Sequence, residues 1–167
     1  RSVADRLSQE QIRLLCHPHY GIGSDGLLID SGDAVNPTLR IINPDGSEAE
    51  KSGNGLRIYA RYLFDSERVG HQPFLVYTAG GDVRCQVAED AHQITVEMGR
   101  ANFSPAALPA LIDLPEALNY PLPLREETLS VSLVSMGNPH AVIEVGLIDA
   151  APVERVGALL QQHASFP

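Results

Sequence analysis

The sequence of 167 residues has little of several residue types, and each shortage argues against a class of protein. There is no Trp, and the two cysteines, Cys16 and Cys85, form neither a disulfide framework nor a Cys-x-x-Cys metal pair. The 12 basic residues are outnumbered by 21 acidic residues, and the net charge of −9 argues against nucleic acid or an anionic membrane as the main partner. No apolar run approaches the roughly 18–20 residues that span a membrane.

The composition that remains is globular. Apolar residues make up 44% of the chain, which is enough to build the core of one domain. The 14 glycines and 12 prolines indicate many turns between short elements. No secretory signal pattern is present. We therefore expect a soluble protein of a reducing compartment, the cytoplasm.

A first helix and a series of strands are predicted from capping and alternation. Ser8 followed three residues later by Gln11 is a capping-box pattern, which predicts a short helix over residues 8–17. Short apolar or alternating runs predict strands, joined mostly by tight turns that favour hairpins. The predicted strands are 26–31, 37–43, 74–79, 83–88, 94–99, 128–136 and 141–146. Residues 104–127 contain five prolines and are interpreted as an irregular connection.

Two further helices are predicted. Residues 54–68 are apolar around most of the helix circumference, which is typical of a helix surrounded by other structure. Arg57, Arg61 and Asp65 align at a spacing of four on the remaining side. The last helix is predicted from Asp149 to about residue 163. Its predicted buried stripe consists of Val153, Val156, Leu159 and Leu160.

The loop Ser52-Gly53-Asn54-Gly55 is the first candidate site. Its glycines let the backbone approach a ligand closely, and the loop leads directly into the helix predicted from Asn54. Free N–H groups and the macrodipole at a helix N-terminus favour an anion such as a carboxylate or a phosphate. The alternative is a plain turn in which Ser52 or Asn54 caps the helix.

Two other loops carry polar residues suited to a site. Asn138 precedes Pro139, which favours an extended backbone, so we expect its amide to point freely into a cleft. His140 is a residue type that tunes a neighbouring group near neutral pH. Asn43 ends a predicted strand before a Pro-Asp-Gly turn. For each of these residues the alternative is an ordinary turn residue.

Other patterns do not predict a cofactor or a metal. The segment GIGSDG at 21–26 has dinucleotide-binding spacing, but it precedes a strand instead of following one. His17 and His19 lack a third ligand at a metal-binding spacing, so no metal is predicted. Both cysteines are predicted to be core thiols.

Three loops taken together resemble the diaminopimelate epimerase family. They are NPDGSE at 43–48, GNGLR at 53–57 and MGNPH at 136–140. Three further segments resemble family landmarks in the same order along the chain. They are YGIGSDGLL at 20–28, TAGG at 78–81 and MGRANF at 98–103. The resemblance extends over essentially all 167 residues, which match the N-terminal half of the family's sequences.

The resemblance implies an α/β (α+β) fold of two similar halves, each a mixed sheet curled around a central helix. Residues 1–167 would form the N-terminal domain without the family's first segment, and the C-terminal domain would be absent from this chain. The implied reaction is racemisation at an amino-acid α-carbon without a cofactor or pyridoxal. One thiol removes the α-proton and a second thiol returns a proton on the opposite face. Thiols suit this task because their ordinary pKa of about 8.5 needs only a modest shift to give a thiolate. A homodimer is expected by analogy with the family.

The resemblance also implies residue roles. Ser52 stands at the position of the family's first catalytic cysteine, and His140 would tune the catalytic pair. Many members have Gln where this chain has Gly26. The residues implied to bind the substrate are Asn43, Gly53, Asn54 and Asn138, with Gly53 and Asn54 on its α-carboxylate.

Three functions are compatible with these residues, each with a small-molecule amino acid as partner. The first is the interconversion of LL- and meso-diaminopimelate in lysine biosynthesis. The second is racemisation of another amino acid such as histidine, which Gly26 favours. The third is a non-catalytic amino-acid-binding paralogue, which Ser52 favours unless that serine was introduced to trap an inactive state. Residues 1–167 alone are expected to be inactive.

Overall fold

The computed structural model describes residues 7–33, 35–125, 127–147 and 153–166. Their contacts divide the chain into two units, unit 1 (Arg1–Gly99) and unit 2 (Arg100–Pro167). The fold is mixed α/β, with three small antiparallel sheets and few helices, in agreement with the predicted class. Within the described ranges, none of the helices has the length and hydrophobicity of a membrane span.

Helix α1 (Gln9–Cys16) opens the described part of unit 1 with the predicted capping box. The Gln11 N–H donates to Ser8 Oγ at 3.2 Å, and the Ser8 N–H donates to Gln11 Oε1 at 2.8 Å. Two backbone donors that a helix start leaves unpaired are thereby satisfied. Ile12 and Cys16 point to one side and are buried in a small apolar cluster.

The first sheet of unit 1 consists of β1 (Leu27–Asp30), β2 (Leu39–Ile42) and β3 (Glu48–Ala49), all antiparallel. β1 and β2 confirm two predicted strands. β3 is not predicted, because two residues are too few to show an alternation. Its pairing with β2 closes the turn that contains Asn43.

The second sheet of unit 1 consists of β4 (Phe74–Thr78), β5 (Gly81–Val87) and β6 (Ile94–Val96), joined as the predicted hairpins. Alternate side chains of β5 are fully buried and the others are exposed, as expected for a sheet with one covered face. The buried residues of β5 are Val83, Cys85 and Val87.

Helix α2 (Gly53–Asp65) packs on both sheets of unit 1 and carries most of its core. Its buried residues are Gly55, Leu56, Tyr59, Ala60 and Leu63. A fully buried leucine stabilises the fold by roughly 1.5–3 kcal/mol relative to exposure. Ile58 and Tyr62, on the other side, are 61% and 52% exposed. The described part of unit 1 therefore encloses α2 less completely than the sequence predicts.

The sheet of unit 2 consists of β7 (Tyr120–Pro123), β8 (Thr128–Ser135) and β9 (Pro139–Val142). β8 is confirmed, and β9 begins two residues earlier than predicted. The interpretation of residues 104–127 as irregular is wrong at β7. The two prolines of β7 are tolerated because β7 is an edge strand, where a missing N–H costs no ladder hydrogen bond.

Helix α3 (Val153–Gln161) confirms the last predicted helix, although Asp149, its predicted start, lies outside the described residues. Val156 is buried, and Leu160 packs on the core of the unit 2 sheet. Val153 is 72% exposed, so its place in the predicted buried stripe is wrong. Val153 lies in the first turn of α3, and the first buried residue of the helix is Val156, one turn later.

Candidate functional site

Ser52 stands immediately before α2 as its N-cap. Its backbone is extended (φ −146°, ψ 117°), and its Oγ accepts a hydrogen bond from the Gly55 N–H at 3.1 Å. The Ser52 carbonyl accepts the Leu56 N–H at 2.8 Å, which closes the first helical turn. The capping role that the sequence leaves open is therefore confirmed for Ser52. Among the described residues, the hydrogen-bond partner of its Oγ is this N–H and not a base.

The N–H groups of Gly53 and Asn54 lead the first turn of α2. Neither has an acceptor among the described residues, and the first turn contains no acidic side chain. The macrodipole adds positive potential at the same place. These two N–H groups can therefore donate to an anion, as a carboxylate bound at a helix start requires.

Arg57 lies one turn further along α2 and reaches back over this start. Its Nη2 donates to Asn54 Oδ1, and its Nη1 would lie 4.0 Å from a Cβ added to Gly53. Helical side chains lean towards the N-terminus, which explains this direction. The predicted alignment is confirmed for Arg61 and Asp65, whose Nε–Oδ1 distance is 2.8 Å. Arg57, the first residue of that alignment, bonds instead to Asn54.

Asn43 lies in the turn between β2 and β3, where a local network holds its side chain. Its Nδ2 donates to Ser47 Oγ at 3.0 Å, and Ser47 Oγ donates to Asp45 Oδ1 at 2.7 Å. The Ser47 hydroxyl first, and the Ser47 N–H second, hold the pKa of the Asp45 carboxyl below its ordinary value. The sequence predicts the turn from Pro-Asp-Gly but not the partner of Asn43.

Gly26 adopts φ +145°, and a Cβ at this position would lie 2.5 Å from the Ile42 carbonyl oxygen. A side chain therefore does not fit this backbone. The local backbone accounts for Gly26, so its presence does not by itself indicate an altered substrate pocket.

Tyr59, Asp30 and Arg68 form a polar cluster that fastens α2 to the end of β1. The Tyr59 hydroxyl donates to Asp30 Oδ1 at 2.6 Å, and Arg68 Nη1 donates to Asp30 Oδ2. Burial acts to raise the pKa of Asp30, but the hydrogen bonds from Tyr59 and Arg68 outweigh it and lower that pKa. Burial, followed by the bond to Asp30, raises the pKa of Tyr59. The sequence gives no local signal for this cluster because Asp30 is 29 residues from Tyr59 and 38 residues from Arg68.

In unit 2, Asn138 and His140 lie at the β8–β9 turn and bond to each other. Asn138 Oδ1 lies 3.1 Å from His140 Nε2. The expectation of a freely pointing Asn138 amide is therefore wrong for its oxygen, which is held at the His140 ring. A cavity of about 180 Å³ opens beside His140. Its other lining residues are Leu108, Pro109, Ala110, Leu133, Pro139, Ala141 and Phe166.

The two cysteines are core thiols, as predicted. Cys85 is fully buried on β5, and burial, with a smaller effect of Glu97, raises its pKa to about 11. Cys16 is 6% exposed on α1 and accepts a hydrogen bond from Ser24 Oγ at 3.6 Å. Within the described ranges, no three His, Cys, Asp or Glu side chains are grouped so that they could hold a metal ion.

The predicted site residues thus fall into groups that the structure describes unit by unit. Ser52, Gly53 and Asn54 are brought together at the start of α2, and Asn43 lies in a turn of the same unit. Asn138 and His140 are brought together in unit 2.

Sequence comparison relates this chain to a characterised family. The profile of the family described as diaminopimelate epimerase matches residues 2–104. The chain is 39% identical to diaminopimelate epimerase 2 of Nostoc sp. over 163 residues and 42% identical to diaminopimelate epimerase of Chromobacterium violaceum over 166 residues. Both alignments cover 96% of this chain but only 57% and 59% of the respective relatives. The chain thus spans less than two thirds of the length of these relatives.

Structural comparison gives the same fold. A probable proline racemase from Agrobacterium radiobacter K84 superimposes with a TM-score of 0.58 at 21% identity. The superposition covers 86% of this chain and 42% of the other. At this identity the likeness shows the fold alone.

Proposed function

The chain belongs to the diaminopimelate epimerase family, and on that premise we propose that the protein interconverts LL- and meso-diaminopimelate in the cytoplasm, as a step of lysine biosynthesis. The reaction moves a proton at the α-carbon and needs no cofactor. Because the chain spans less than two thirds of the length of its relatives, the activity is proposed for the whole protein. Residues 1–167 alone are proposed to be inactive.

The observation that supports this function most strongly is the start of α2. The N–H groups of Gly53 and Asn54 are available to the α-carboxylate of an amino acid. Removing the α-proton delocalises negative charge onto that carboxylate, so donors fixed at its oxygens stabilise the carbanion more than the ground state. This electrostatic effect makes the reaction feasible without an electron-withdrawing cofactor.

The other site residues are proposed to hold the rest of the substrate. Asn43 and Asn138 would bind its remaining polar groups, and His140 would tune the catalytic pair. Asn138 and His140 are already hydrogen-bonded to each other, which supports a joint role in unit 2.

Ser52 favours a second candidate function, that of an amino-acid-binding paralogue without turnover. A hydroxyl is a far weaker acid than a thiol and needs an adjacent base to become a nucleophile or a proton acceptor. The described partner of Ser52 Oγ is the Gly55 N–H, which stabilises a negative charge but takes no proton. The carboxylate-binding groups at Gly53 and Asn54 do not depend on this residue and would serve a binding protein equally.

The test is α-proton exchange in deuterated water, followed by NMR, with the protein encoded by the complete gene. LL-diaminopimelate and L-histidine are compared at equal concentration, with residues 1–167 alone as the control. If the complete protein exchanges the α-proton of diaminopimelate and residues 1–167 alone do not, the result supports the epimerase. Exchange of histidine in preference overturns the proposed substrate, and calorimetric binding of diaminopimelate without exchange establishes the binding paralogue.

A further inference from the structure

The direction of each hydrogen bond around Asn43 follows from proton counting. An ionised carboxylate only accepts, and a serine hydroxyl has one proton to donate. Ser47 gives that proton to Asp45 Oδ1 at 2.7 Å, so Ser47 Oγ is an acceptor towards Asn43. The atom of Asn43 that faces Ser47 is therefore Nδ2, and its Oδ1 is the end left for a ligand.

The amide of Asn54 is held in the opposite sense. A guanidinium has only donors, so the atom of Asn54 that faces Arg57 is Oδ1. The Nδ2 group, with its two N–H donors, is the end that remains. Within the described part of the chain, neither Asn43 Oδ1 nor Asn54 Nδ2 has a hydrogen-bond partner.

We propose that Asp45 with Ser47, and Arg57, are positioning residues that fix the two amides with opposite ends outward. Asn43 then presents an acceptor, which suits an ammonium group, and Asn54 presents donors, which suit a carboxylate. An amino acid carries both groups, so the inference rests on the proposed function and adds which end of each amide meets it. An unheld amide turns by 180° at little cost and offers the wrong end part of the time.

The orientation itself is tested without a ligand, in the complete protein labelled with ¹⁵N. The Nδ2 protons of Asn43 are expected to exchange with water more slowly than those of Asn54, because only the former are hydrogen-bonded. Ser47→Ala should raise the Asn43 exchange rate to that of Asn54, and Ser47→Thr, which keeps the hydroxyl, should restore protection. Equal rates in the parent protein, or no response to Ser47→Ala, overturn the proposal.

The consequence for binding is tested in the complete protein by calorimetry with diaminopimelate. Ser47→Ala is expected to weaken binding about 3- to 10-fold, the cost of one misdirected hydrogen bond. Adding Asn43→Asp to Ser47→Ala should recover most of that loss, since a carboxylate presents an acceptor whichever way it turns. A purely structural role of Ser47 predicts no recovery, and that result contradicts the proposal.

The same replacement at Asn54 gives the opposite expectation. Asn54→Asp removes the donors that face a carboxylate, so binding should fall by at least about 10-fold. Arg57→Lys keeps a donor on Asn54 Oδ1, so it should bind diaminopimelate more nearly as the parent protein does than Arg57→Met, which has no donor. If the parent protein does not bind diaminopimelate, the proposed function fails, while the exchange rates still decide the orientation of the amides.

Discussion

The hydroxyl oxygen of Ser52 lies 3.1 Å from the backbone nitrogen of Gly55 and accepts its hydrogen bond. The side chain before α2 therefore faces the N–H groups of the helix, which favour negative charge on whatever atom stands there. A thiol in this position would ionise readily, whereas a hydroxyl needs an adjacent base to take part in proton transfer. The atom at this position therefore distinguishes the two proposed functions.

The capping bond predicts a cost for its removal. Ser52→Ala leaves the Gly55 N–H without its partner and should lower the free energy of unfolding by about 1 kcal/mol. Ser52→Thr keeps the hydroxyl and is the matched control, with a change within about 0.5 kcal/mol. Urea denaturation followed by circular dichroism measures both, and equal stability of all three proteins would show that the cap contributes nothing.

Gly26 is predicted to be required by the backbone. Gly26→Ala places a Cβ 2.5 Å from the Ile42 carbonyl oxygen at a φ of +145°, and should destabilise the protein by about 1–3 kcal/mol. Gly70→Ala is the control, because a Cβ there meets nothing within 4 Å. The difference in thermal midpoint between the two variants is the measurement. A Gly26→Ala protein as stable as Gly70→Ala would refute the backbone argument.

Asp30 is predicted to make stability depend on pH in the acid range. Its pKa is lowered in the folded state, so the stabilisation is present above the unfolded value of about 3.9 and is lost as the pH falls through the folded value. Asp30→Asn removes this dependence. Parent and variant should differ in free energy of unfolding at pH 7, and the gap should close below about pH 4. A gap that is constant from pH 7 to pH 3 would contradict the assignment.

Thiol labelling is predicted to distinguish position 52 from the native cysteines. Cys85 is fully buried with a pKa raised to about 11, and Cys16 is 6% exposed, so both should resist a disulfide reagent at pH 7 until urea is added. Ser52→Cys should introduce one thiol that reacts in the folded protein, because this position is half-buried and lies at a helix N-terminus. Labelling of the parent protein at a similar rate would contradict the burial of its thiols.

Local patterns in the sequence predict the elements that depend on neighbouring residues. The capping box at Ser8, the β4–β5 hairpin and the helix that follows Ser52 all appear where the pattern indicates. β7 is missed because its prolines are typical of loops, and its strand conformation comes from pairing with β8. Tertiary pairing of this kind has no local signature.

The candidate site, like the fold, is predicted where the signal is local and is not predicted where it depends on the contacts of side chains. The loop before α2 is predicted because glycines and a capping residue adjoin a helix, and the three motifs identify the family. The partners of the site residues are not predicted, because the helical spacing of Arg57 does not show that its side chain bonds to Asn54, three residues earlier. The bond between Asn138 and His140 is not predicted either, because the Asn-Pro pattern indicates an extended backbone and not the direction of the side chain.

The role of position 52 is tested most directly by comparing the protein encoded by the complete gene with its Ser52→Cys variant. The rate of α-proton exchange of LL-diaminopimelate in deuterated water is measured for both. The thiol is expected to raise this rate by at least about 100-fold, the usual contribution of a positioned base. Equal rates in the two proteins would contradict the assignment of position 52 to the proton-transferring group.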